Sequence, residues 1–292
     1  MRRETFSTPG PVRLDLELPA GAIEIETAET DETHVELEAP SGKEQVEEMV
    51  ADARITCERR GDAYEITVAV RTRGGVWISF SNGPNIRLGT PDMRLRITCP
   101  NGASVDARTK SADLQGRGEF GAVDVKTAAG DVTLDNAGDM VVKSASGDVH
   151  VETVDGELDV KTVSGDVHVG SVARDSTLQT VSGDIYIQET DGAISASTVS
   201  GDQRYEAVVQ GRVELRAVSG DIGIGIRRGS RVYIDANTVS GSTSSEFELS
   251  DAPAAPLAHD APLVEVFAKT VSGDVRIARA PAKASAELSE QS

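Results

Sequence analysis

Seven aspartates recur at nearly constant spacing. Asp113, Asp131, Asp148, Asp166, Asp184, Asp202 and Asp221 lie 18, 17, 18, 18, 18 and 19 residues apart, and from Asp131 onward each follows a glycine. If each period is one turn of a stacked structure, the carboxylates fall on one line. Asp131, Asp148, Asp166, Asp184, Asp202 and Asp221 would then form a column able to hold calcium. A calcium ion takes six to eight oxygens, however, and one aspartate per turn supplies too few. Unit charges stacked at that separation repel by roughly 1 kcal/mol in water. The column therefore needs backbone donors or a cation beside it. A second line lies two residues further on: His150, His168, Tyr186 and Arg204 follow successive marker aspartates. Two histidines at that spacing could begin a metal site, but a third ligand is missing. The line reads by default as a solvated outward face, and in the sharper reading as a candidate surface strip for a binding partner.

Neither line resembles a catalytic centre. Sugar-cleaving sites need carboxylates converging in a cleft, and here the carboxylates are spread along ladders. Gly-x-Ser-x-Gly, His-Glu-x-x-His and phosphate-binding glycine loops are all missing. The residues therefore assign no catalytic group, no metal and no cofactor. They point to a non-catalytic interaction or scaffold protein. A carbohydrate-active β-helix enzyme and a calcium-stabilised binding module are the alternatives from other classes.

The elements that position these lines follow from a repeated phrase. Lys161-Thr162-Val163-Ser164-Gly165-Asp166-Val167 recurs at 179–185, 197–202, 216–222 and 269–275, with weaker copies at 126–132 and 143–149. A fixed period near 18 with alternation inside it signals an all-β solenoid (β-helix) of ~18-residue coils. Each coil would hold two short strands. One follows the aspartate, as at Val149-His150-Val151. The other follows a weaker turn, such as Asp155-Gly156, Asp191-Gly192, Gln210-Gly211 or Gly229. Val149, Val151, Val167, Val169, Ile185 and Ile187 would tile one wall, and Leu158 and Val160 the other. Thr162, Thr180, Thr198, Thr238 and Thr270 would form a ladder beside them. The valines and threonines of the phrase thus read as wall tiles, its glycine as a corner and its aspartate as the corner's hydrogen-bonding group. Taken in chain order, the next equivalents after Asp221 are Ser242 and then Asp274, with a proline-rich excursion (Asp251 to Leu257) between them.

Residues 1–100 read as a β-rich segment that caps the solenoid or continues into it. The repeats span 101–280, and 281–292 reads as a disordered tail. Val12 to Leu18 alternates strictly, Pro19-Ala20-Gly21 reads as a turn, and alternation resumes at Ile23 to Glu26 and Val35 to Glu38. Ser41 could cap one short helix at about 42–54, with Val46, Met49 and Val50 on its apolar face. Strands follow at Ala53 to Glu58, Tyr64 to Val70 and Met93 to Thr98. Trp77 and Phe80 fall in a segment that reads as a hairpin arm or long loop. Cys57 and Cys99 lie in separate strands and read as free buried thiols, without a disulfide framework or metal spacing.

The net charge is −19, and aromatics are 3% of the chain. Such a polyanion is repelled by nucleic acid and by anionic membrane surfaces. A core poor in aromatics must be tiled from Val, Ile, Leu, Thr and Ala, which suits thin layered β-structure. Met1-Arg2-Arg3-Glu4-Thr5-Phe6 shows no signal peptide and no apolar run is long enough to span a bilayer. The chain thus reads as cytoplasmic, with surface association and self-association left open.

The repeated Thr-Val-Ser-Gly-Asp-Val/Ile phrase, preceded by a strand-rich segment ending in Cys99-Pro100-Asn101-Gly102-Ala103, resembles the bacterial DUF4097 family of adhesin-type β-strand-repeat proteins. The likeness runs from about Val12 to Ala278. It implies a β-solenoid, no established enzymatic activity, and a protein or cell-envelope partner. The family brings no agreed functional residues to carry over.

Overall fold

Val149, His150 and Val151 show how the walls are built. The two valines are buried and the histidine between them faces outward. β-branched residues suit the extended backbone, whose period of two sends alternate side chains to opposite faces. In the computed structural model, which describes residues 1–40, 42–70, 92–247 and 261–281, this pattern repeats along parallel ladders.

The N-terminal part comprises β1 (Arg2–Ser7), β2 (Val12–Ala28), β3 (Glu32–Glu38), α1 (Glu44–Ala51), β4 (Arg54–Arg60), β5 (Ala63–Ala69) and β6 (Arg94–Pro100). Then β7 (Ala103–Lys126) makes more than one circuit by itself. The following strands alternate between two walls: β8 (Val132–Ala137), β9 (Met140–Lys143), β10 (Val149–Val154), β11 (Leu158–Lys161), β12 (Val167–Val172) and β13 (Ser176–Ser182). The alternation continues through β14 (Ile185–Thr190), β15 (Ile194–Ser200), β16 (Gln203–Val208), β17 (Gly211–Ser219) and β18 (Ile222–Ile226). It ends with β19 (Arg231–Ser240), β20 (Thr243–Ser245), β21 (Leu263–Ser272) and β22 (Val275–Arg279). The fold is the expected β-solenoid. Wall residues stack on their own equivalents, as Val149 on Val167 and Leu158 on Ser176. Each fully buried Val or Ile contributes roughly 1.5–3 kcal/mol.

The spatial order of the last coils departs from chain order. β21 pairs with β17 on one side and β19 on the other, and β22 lies between β18 and β20. The coil carrying Asp274 therefore stacks directly on the coil carrying Asp221, and the coil carrying Ser242 is outermost. Reading the marker positions in chain order put Ser242 first, because chain distance measures where the phrase recurs and not what it stacks on.

Three local expectations are also revised. Pro19-Ala20-Gly21 does not interrupt the ladder. It is a corner inside β2, where Gly21 takes φ +112° and a Cβ would lie 1.9 Å from the Met93 carbonyl oxygen. The first half of β2 pairs with β5 and the second with β6. The first valine of the phrase is no wall tile. Val163, Val181, Val199, Val218 and Val271 are exposed, since Thr162 and its equivalents point inward and alternation turns the next residue out. The helix is shorter than 42–54, and Lys43 occupies its N-cap without a side-chain hydrogen bond. Ser41 lies outside the described residues, as do Trp77, Phe80, the excursion from Asp251 to Leu257 and the tail from 282.

Val46 and Val50 of α1 are buried in the core. Antiparallel pairings among the described residues, β1–β3, β3–β6 and β4–β5, occur at this N-terminal end. Cys99 and Cys57 are both free, but Cys57 is only half-buried. No helix among the described residues is long and apolar enough to cross a membrane.

Candidate functional site

The aspartate column forms as expected from the ruler, and its internal chemistry is visible. Each carboxylate accepts a hydrogen bond from the backbone N–H of the marker residue one coil on. Asp131 N–H donates to Asp113 Oδ1 at 3.0 Å, Asp166 to Asp148 at 2.9 Å, and Asp184 to Asp166 and Asp202 to Asp184 at 2.8 Å. Asp221 continues the chain onto Asp202, and Asp274 onto Asp221, both at 2.7 Å. At the outer end, Ser242 donates its N–H and its hydroxyl to Asp274 Oδ1. These two bonds hold the Asp274 carboxyl below the usual carboxylate range. The column is a device for fastening corners. Part of the threonine ladder serves the same corners: Thr198 donates to the Gly201 carbonyl at 3.0 Å, Thr238 to that of Gly273 at 2.9 Å and Thr270 to that of Gly220 at 3.3 Å.

This arrangement separates hydrogen bonding from charge. Asp184→Asn keeps an oxygen for the Asp202 N–H and removes like-charge neighbours on both sides. It is expected to leave the melting temperature unchanged or raised at low salt. Asp184→Ala removes the acceptor and should lower it by about 2–4 °C. Thermal melts of the two variants at low and high salt check the pair of outcomes.

The second line is also brought together. His150 pairs in register with His168, His168 with Tyr186, and Tyr186 with Arg204. The two imidazoles stack with centroids 4.9 Å apart, and His168 stacks on Tyr186 at 4.4 Å. The interplanar angles are 18° and 21°, so the ring faces cover one another along the solenoid axis and the polar edges face out. Such a strip offers hydrogen-bonding edges, not the open aromatic face on which a sugar ring would stack. His150 Nε2 lies 3.0 Å from Glu152 Oε1. Partial burial and a hydrogen bond to Glu206 push the Tyr186 phenol up, against the pull of Arg204.

Beyond Arg204 the strip opens into a trench that sequence reasoning missed. Gly223 stands in register between Arg204 and Arg276, so the outward column loses a side chain there. Its neighbour Gly225 approaches the preceding strand so closely that a Cβ would lie 2.0 Å from the Glu206 carbonyl oxygen. The result is a trench of about 770 Å³ floored by Gly223 and Gly225 and flanked by Arg204, Glu206, Arg276 and Ala278. The signal was the Gly-Ile-Gly-Ile run at 223–226, which leaves outward positions bare. Beneath the bank of Arg204, Gln203 and Tyr205 replace the usual valines in the wall. Tyr205 Oη donates to Gln203 Oε1 at 3.2 Å and Gln203 Nε2 to the Arg216 carbonyl at 2.8 Å.

Among the described residues, no group of three or more His, Cys, Asp or Glu is placed to hold a metal ion. The family model for DUF4097, the Toastrack family, matches residues 12–278. The chain belongs to the DUF4097 family. The match runs from β2 into β22 and so covers the N-terminal strands from β2 onward as well as the repeats. No curated protein matches this DUF4097 chain. Similar solved structures include a "putative adhesin" from Bacteroides fragilis, 13% identical, covering 94% of this chain and 96% of that one, with a TM-score of 0.47. A "putative adhesin" from Parabacteroides distasonis is 11% identical over 94% of this chain and 96% of that one, with a TM-score of 0.37. A "putative lipid binding protein" from the same organism is 11% identical over 96% of each chain, with a TM-score of 0.36.

Proposed function

We propose that this DUF4097 chain is a non-catalytic binding scaffold. Its recognition face is the outer wall bearing His150, His168, Tyr186 and Arg204, continued by the trench at Gly223. The observation that carries the reading is the in-register stack of these four side chains on a rigid parallel wall. A rigid wall fixes the spacing of the polar edges at one strand separation, about 4.8 Å, and so loses little conformational freedom on binding. An extended partner with repeated hydrogen-bonding groups suits that spacing. Support against hydrolysis comes from the carboxylates: those of the column sit side by side on a corner, each engaged by a backbone donor.

The test is capture on the immobilised full chain from the native cell. A version with His150, His168 and Tyr186 replaced by serine and Arg204 by glutamine serves as the comparison. All four positions point out of the wall, so the variant should melt like the parent. Partners retained by the parent and lost by the variant are the expected result. The same partners on both surfaces would overturn this assignment of the binding face.

A further inference from the structure

The two ends of the solenoid differ. At the N-terminal end, the outer strands β1 and β4 carry charge along their length, with Arg2, Arg3 and Glu4 on one and Arg54, Glu58, Arg59 and Arg60 on the other. There α1 adds Val46 and Val50 to the core. Charged edges resist strand addition. At the other end, β19 pairs only with β21 and β20 only with β22 among the described residues. β19 is ten residues long and holds a regular register with β21. It contains no proline and no inward charge. Its inward residues Val232, Ile234 and Ala236 are only partly buried, whereas Val264, Val266 and Ala268 one coil below are 0% exposed.

The corner valines measure what is missing. Val163, Val181, Val199, Val218 and Val271 are 45–51% exposed, each with a coil on both sides. Val239, with a coil on one side, is 82% exposed, and Tyr233 on the same outer face is 55% exposed. The chain's charge does not defend this end. Residues 227–281 hold six Lys or Arg and seven Asp or Glu, a net −1, whereas residues 1–226 carry −17 of the total −19.

We infer that the β19 edge is a docking surface for a second copy of this chain, joined antiparallel about a two-fold axis through Ala236. A two-fold normal to the wall reverses strand direction and keeps the inner face inner, so the core continues across the junction. With Ala236 opposite Ala236, Ile234 of one copy faces Thr238 of the other and Tyr233 faces Val239. The two exposed apolar residues thus cover each other twice. Asp235 falls opposite Asn237. Shifting the axis to Asp235 would oppose two like charges, which is destabilising. The symmetric pair closes on itself, so growth stops at two copies.

Sedimentation velocity of the full chain over a concentration series tests the proposal. A monomer–dimer equilibrium is expected, weakened at least tenfold by Tyr233→Lys and by Val239→Lys, with unchanged melting of the monomer because both side chains are exposed. Directly opposed residues in antiparallel strands have Cα atoms about 4.5–5.5 Å apart, within disulfide reach. On a Cys57→Ser background, Ala236→Cys should cross-link to a covalent dimer under mild oxidation, and Asn237→Cys should not. A wild-type chain that stays monomeric overturns the proposal. So does assembly beyond the dimer, a dimer indifferent to both lysines, or equal cross-linking at 236 and 237.

Discussion

Gly201→Ala should destabilise the solenoid by about 3 kcal/mol or more. The corner glycine has φ +150°, and a Cβ built there lies 2.2 Å from the Gly183 carbonyl oxygen and 2.7 Å from its carbon. Neither atom can move alone, because the Gly183 backbone belongs to the coil beneath and Gly201 N–H is itself bonded to the Ser219 carbonyl at 3.1 Å. The same contact recurs along the stack: Gly183 over Gly165, Gly220 over Gly201 and Gly273 over Gly220 all bring a would-be Cβ within 2.2 Å of a backbone oxygen. Separating one coil from the next sacrifices a whole ladder, since each coil is stable only against its neighbours. Gly229→Ala isolates the conformational part. Its φ is +93° and nothing lies within 4 Å of the added carbon, so about 1–2 kcal/mol is expected. Urea melts of the two variants against the parent decide the point. Equal losses would mean that steric contact between coils contributes nothing at the corner.

Much of this architecture was legible because the solenoid writes its geometry into the period. The interval near 18 fixed which residues stack, so His150, His168, Tyr186 and Arg204 could be placed on one line before any coordinates. The division of Val149 and Val151 from His150 followed from alternation alone. The exposure of Val163 was present in the same alternation, one step from the inward Thr162, but an apolar residue in a repeated phrase invites a core assignment. The order of the last coils was harder. Asp274 stacks on Asp221, a contact across 53 residues, while Ser242 takes the outer position. A chemical hint does exist. An outermost residue has no following N–H to accept, and Ser242 is the one marker without a carboxylate. The Gln203–Tyr205 pair was missed because a single polar departure from a wall pattern looks like variation, and only the matching hydroxyl and amide positions reveal a satisfied buried pair. The trench at Gly223 depends on what is missing from an outward position, which the ruler for conspicuous side chains passes over.

Alkaline solution should unfold this protein through two buried groups that titrate late. Burial pushes the Cys99 thiol up from an ordinary 9.0 to about 12, and burial also pushes the Tyr205 phenol well above its ordinary 10.0. Between pH 9 and 12 the unfolded chain loses the Cys99 proton while the folded chain keeps it. The unfolded state then binds fewer protons, so stability falls as pH rises. At about 1.4 kcal/mol per pH unit over three units, Cys99 alone costs roughly 4 kcal/mol by pH 12. Tyr205 adds a loss of the same sign above pH 10, because its neutral hydroxyl donates to Gln203 inside the wall and its phenolate would be stranded there. Below pH 9 neither group contributes a slope. Cys99→Ala should lower stability at pH 7 through the lost packing yet flatten the decline between pH 9 and 12. Tyr205→Phe should flatten the part above pH 10. Urea midpoints measured from pH 7 to 11.5 separate the two effects, because a cavity shifts the whole curve and a titration changes its slope. A parent curve as flat as that of the double variant would show that the folded interior releases these protons as readily as the unfolded chain.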